Sequence, residues 1–129
     1  MNKMLALVAA IAVMTACSDS TAPLALFEPE VTNATDNFQL QATSVDRVGT
    51  TVQYAWENTG TQASIDHSTT TAAGLASVVI RDAAGSVMYE QDLAPSLNED
   101  TSSGETGTWT ITVILSEYSG TLNFRAQKK

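Results

Sequence analysis

From Asn37 to the C-terminus, apolar residues recur at every second position rather than at helical spacing. Phe38, Leu40 and Ala42 alternate with Gln39, Gln41 and Thr43, and Val52, Tyr54 and Trp56 with Thr51, Gln53 and Glu57. Ala63 and Ile65 are flanked by Gln62, Ser64 and Asp66. Ala76, Val78 and Ile80 follow, then Val87 and Tyr89. Trp109, Ile111, Val113 and Leu115 are set against Thr108, Thr110 and Thr112, and Leu122, Phe124 and Ala126 against Thr121, Asn123 and Arg125. A period of two places one set of side chains on a buried face and the other in water, so the pattern predicts seven half-buried antiparallel strands.

The segments between the runs carry turn chemistry. Asn58 and Thr59 lead into Gly60, Asp82 into Gly85, and Ser119 into Gly120, with a further hairpin expected at residues 46–49. The connection over residues 94–106 is polar and acidic and is expected to be a mobile surface loop. Ala72 to Ala76 is too short and glycine-broken for a helix. Residues 37–129 are therefore expected to form an all-β domain, a single antiparallel β-sandwich of about seven strands, immunoglobulin-like or jelly-roll-like.

The pattern before residue 37 is different. A short basic head ending in Lys3 precedes a ten-residue uncharged apolar run, Leu5 to Met14, and then Thr15, Ala16 and Cys17. That order describes a secretory signal peptide over residues 1–16, and the run is too short to span a bilayer. Met14, Thr15, Ala16 and Cys17 resemble the bacterial lipobox. The resemblance implies cleavage before Cys17, a diacylglycerol on its thiol and an acyl chain such as palmitate on its new amino group. Several chains hold far more firmly than one. Ser18, where many inner-membrane lipoproteins carry aspartate, favours the outer membrane by the same resemblance. Cys17 is the sole cysteine, so the exported domain has no internal disulfide. Residues 17–36 are expected to be a lipidated tether, although Leu24, Leu26, Phe27 and Val31 leave room for a first edge strand.

Two stretches resemble known modules. Tyr54, Trp56, Asn58 and Gly60 are similar to a strand-and-turn segment of bacterial immunoglobulin-like and adhesion-type sandwiches. Gly107, Trp109, Ile111 and Val113, with Gly120, Leu122 and Phe124, resemble the closing hairpin of pre-peptidase C-terminal modules. The resemblance implies a non-catalytic accessory on an exported protein.

The formal net charge of −8 argues against nucleic acid and against docking on anionic headgroups by charge alone. His67 is the only histidine, with Ser64, Asp66 and Ser68 near it in sequence. Neighbours on a strand point to opposite faces, so a triad is not expected, and His67 is read as a surface or strand-end residue. Asn98, Glu99, Asp100 and Glu105, with Asp82 as an outlier, are the one carboxylate cluster that could suit calcium. Trp56 and Trp109 share faces with aliphatic residues and read as core. Tyr118, beside a turn, is the candidate exposed ring for sugar stacking. No cofactor is expected. These residues point to a membrane-anchored envelope lipoprotein acting by contact with an envelope protein or with itself, through edge strands at residues 62–66 or 121–125. The alternative is a carbohydrate- or calcium-dependent binding lipoprotein.

Overall fold

The computed structural model describes residues 23–129. The signal peptide, the lipobox and Cys17 lie outside the described residues. The chain forms a one-turn 3-10 helix, Leu24–Phe27, and seven strands. These are β1 (Glu30–Ala34), β2 (Asn37–Asn58), β3 (Ala63–His67), β4 (Thr70–Arg81), β5 (Val87–Asp92), β6 (Leu97–Asp100) and β7 (Gly107–Lys128). All pairings are antiparallel in one continuous sheet. Its main path is β1-β2-β7-β3-β6, with β4 beside β7 and β5 beside β4.

The sheet becomes a sandwich because its two longest strands fold double. β2 and β7 pair from Asn37↔Gln127 to Asn58↔Gly107, with register shifts between Ala42 and Thr50. Ser44, Arg47 and Glu117 take left-handed φ values of 54°, 48° and 44° there, the local twist and bend that bulges produce. Both ends of β2 return to one end of the molecule, where the Asp36 amide donates to the Glu57 carbonyl at 2.8 Å. One arm of the bent pair carries β3, and the other carries most of β4 with β5.

The predicted alternation is present, and Phe38, Leu40, Trp56, Ile65, Ile80, Trp109, Ile111, Leu122 and Phe124 are fully buried between the arms. The division into strands differs. Runs 38–42 and 52–56 are one strand, as are runs 109–115 and 122–126, because residues 46–49 and 119–120 are bulged corners inside strands rather than hairpin turns. Val45 and Val48 stay buried through the corner, so the ladder resumes beyond it. The turn after Asn58 does not close a hairpin either, because β3 pairs with β7 and β6 instead of β2. The expected turn at residues 82–85 does join β4 to β5, with Gly85 at φ 89°.

Two strands come from segments expected to be irregular. β1 lies within the expected tether and pairs with residues 37–41, and Leu24 is buried in the core. The fold therefore includes Leu24 and β1 as well as the residues from Asn37 onward. β6 lies within the expected loop and pairs with β3. No helix among the described residues is long and apolar enough to cross a membrane.

Candidate functional site

β3 sorts the side chains around the single histidine. Ala63, Ile65 and His67 face the interior, whereas Ser64 and Asp66 alternate to the other face. Ser64 Oγ donates to Asp100 Oδ1 at 3.2 Å, on the side away from His67. Ser64, Asp66 and His67 thus do not converge. Nor is His67 a surface residue: it is 1% exposed. Its Nε2 stands 3.4 Å from the Tyr89 hydroxyl, which donates to Glu99 Oε2 at 2.7 Å. With that hydroxyl proton committed to Glu99, the neutral ring donates from Nε2. This chain of three side chains links β3, β5 and β6 across the two arms.

Burial lowers the pKa of His67, against the opposing pull of the Pro95 and Leu93 carbonyls and of the Glu99 and Asp66 charges. Nδ1 has no hydrogen-bond partner of good geometry. Burial first, and then the bond to Glu99 and its charge, push Tyr89 up. His67 is therefore a largely uncharged interior ring near neutral pH.

Two of the carboxylates proposed for calcium, Glu99 and Asp100, are committed to separate partners. Glu99 accepts from Tyr89, and Asp100 pairs with Lys129 and Ser64. The Glu105 amide donates to Asp82 Oδ2 at 2.9 Å. Among the described residues no group of three His, Cys, Asp or Glu side chains is placed to hold a metal ion. Asp82 is a buried clamp. Its carboxylate also accepts from the Ala84 and Ser86 amides at 3.1 and 2.9 Å, and these bonds, led by that from Glu105, hold its pKa below the ordinary carboxylate value. The clamp fixes the 82–86 turn against the 101–106 connection, so the acidic connection is tied down at both β6 and Asp82.

Trp56 and Trp109 are fully buried, as expected. Tyr118 is buried as well, its hydroxyl donating to the Thr70 carbonyl at 3.1 Å. The corner in β7 turns that ring inward, so it is not a stacking platform. An open cleft of about 150 Å³, lined by Glu28, Glu30, Gln41 and Thr43, lies beside the start of β1. It is small for an organic ligand. The sequence reading missed it because Glu28 and Glu30 were placed in the tether.

The exposed edges are also not where the pattern put them. Residues 62–66 are flanked by β7 and β6, and residues 121–125 by β2 and β3. β1 and β6 are edges of only five and four residues. The β5 edge is partly covered, the Met88 carbonyl accepting from the Ser102 amide at 3.1 Å. Two longer stretches are also open: residues 70–75 of β4, which pair only with β7, and residues 50–54 of β2, which pair with β7 on one side and have no strand on the other. The Ala55 and Glu57 carbonyls turn outward, taken by the Asn33 side chain and the Asp36 amide. By the alternation of a strand, the backbone groups of Thr51 and Gln53 face the same way without a partner strand. Val52 and Tyr54 beside them are only half-buried, and Tyr54 packs on Phe38 with ring centroids 5.1 Å apart. The segment carries no charge, proline or lysine, the usual guards of an edge.

Comparison of the chain with protein-family models, with curated proteins and with solved structures finds no match.

Proposed function

We propose that this chain is a membrane-anchored envelope lipoprotein that works as a non-catalytic protein-interaction or structural module. Residues 1–16 are the export signal, Cys17 carries the lipid, and the outer membrane is its favoured destination. The contact is strand addition along residues 50–54 of β2, with an envelope protein or a second copy as partner. The observation that carries this reading is the open ladder at Thr51 and Gln53, whose backbone groups are ready to pair and whose neighbours Val52 and Tyr54 offer apolar surface. The inward placement of His67, Tyr118 and both tryptophans supports contact over turnover or sugar stacking.

Intact-mass analysis of detergent-extracted protein tests the anchored part of this reading. The expected product begins at Cys17 and carries a diacylglycerol and an N-acyl chain, and Cys17→Ser accumulates as precursor. A mature chain released into the medium with a free Cys17 thiol would contradict it.

A further inference from the structure

Leu26 is 68% exposed, yet it sits in a turn that is firmly part of the fold. Leu24, two residues earlier, is 3% exposed and belongs to the core. The turn is closed by the Leu26 amide on the Pro23 carbonyl and the Glu28 amide on the Ala25 carbonyl, each at 3.2 Å. Glu28 then reverses the chain at φ 47°. Leu26 is therefore held outward on a pinned support while Leu24 is held inward. Beside it Phe27 is partly buried, and Val31 on β1 is 39% exposed.

Chain length says what lies opposite. Leu24 is seven steps along the chain from Cys17, and at ~3.3–3.6 Å per step these reach at most about 25 Å. A tether of 20 residues would let the domain stand clear of a bilayer, but the shorter one keeps the Leu24–Phe27 side beside the leaflet that holds the lipid. A domain of ~100 residues has a radius of gyration near 13 Å, so the tether is no longer than the domain is wide and the Leu24–Phe27 side stays within about 25 Å of the anchor.

We propose that Leu26, supported by Phe27, inserts into the interface of the bilayer in which Cys17 is anchored, making the Leu24–Glu30 side the membrane-facing side of the domain. This rests on the lipoprotein reading above. Glu28 and Glu30 follow the inserted residue closely in the chain, and their charges are repelled by an anionic surface. The matching leaflet is zwitterionic. Insertion also leaves residues 50–54 free for a partner, since it does not use that edge.

The test uses full-length lipidated protein in phosphatidylcholine vesicles. Cys17 is thioether-linked in this form, so Leu26→Cys supplies the sole free thiol for an environment-sensitive fluorophore. Val87→Cys, exposed on β5 and paired near the 82–86 turn, is the reference position. The label at residue 26 is expected to shift to the blue and to be quenched by doxyl-lipid at least three-fold more than the label at residue 87. Replacing part of the phosphatidylcholine by phosphatidylglycerol is expected to reduce that difference. Equal quenching at both positions, with flotation and mass confirming the lipid on Cys17, overturns the insertion and leaves the lipoprotein reading standing. Protein that carries two labels, one on Cys17, and fails to float overturns both.

Discussion

Trp56 and Trp109 are directly opposite one another in the β2–β7 ladder, their rings edge to face at 6.1 Å and 86°. Each indole N–H is satisfied by a backbone carbonyl, Trp56 by Ala34 at 3.0 Å and Trp109 by Glu105 at 2.7 Å. The pair thus ties the last residue of β1 and the 101–106 connection to the core. Replacing either by alanine is expected to cost about 3–5 kcal/mol, the usual loss for a buried large aromatic. A double-mutant cycle with leucine, which removes the ring at each position, read by urea unfolding, should return coupling of about 0.5–1.5 kcal/mol. Additive effects would mean that the rings do not meet.

The corner depends on two glycines. A Cβ at Gly74, φ 78°, would stand 2.1 Å from the Glu117 carbonyl oxygen, and one at Gly120 would stand 2.1 Å from that of Thr70. β4 and β7 can therefore pass the bend only with backbone against backbone. Gly74→Ala and Gly120→Ala are each expected to destabilise by at least ~1 kcal/mol from the φ penalty at Gly74 and the clash at both. Gly85, whose Cβ would meet open space but at φ 89°, isolates the φ cost alone. Thermal unfolding of the three variants checks the order, with Gly85→Ala the mildest.

Acid should weaken the fold in two separate windows. The folded pKa of His67 lies below its ordinary 6.5, so the unfolded chain takes the proton first. Its contribution is whole above pH 6.5 and falls as the pH drops toward the folded value. Asp82, Asp36 and Asp100 are depressed below the ordinary 3.8, so their contributions persist until the pH falls below that and are lost toward their folded values. Melting temperature is expected to fall as the pH drops below the ordinary histidine value of 6.5 and to fall further once it drops below the ordinary carboxylate value of 3.8. In His67→Gln the first drop should vanish while the second stays. Equal slopes in both proteins between those two values would show that His67 is not the group involved.

What could be read from sequence follows from what a period of two encodes. It reports which residues face inward, and Phe38, Trp56, Ile65 and Phe124 are all where it places them. It does not report whether a strand ends or merely bends. Residues 46–49 and 119–120 carry the turn-forming composition of hairpins, yet Val45, Val48 and Tyr118 keep packing through them. Because the bends are not ends, the edges move as well: residues 62–66 and 121–125, which the pattern predicts as exposed edges, are interior. β1, which contains Val31, was legible only as the alternative of a first edge strand, because all five of its residues are exposed and show no alternation. His67 was hidden because its hydroxyl partner, Tyr89, is 22 residues away, on the opposite arm.

The central claim is that the domain works by strand contact along β2. Site-specific photocrosslinking in intact cells addresses it directly, with a photoreactive residue at position 53 and a control at position 39 on the interior part of β2. Recovery of one partner, an envelope protein or a second copy, from position 53 alone is expected. Gln53→Pro, which an edge strand tolerates but which removes an outward N–H, should abolish capture from a photoreactive residue at 51 without lowering the melting temperature by more than a few degrees. Equal capture from positions 53 and 39, or capture unaffected by the proline, would contradict the account.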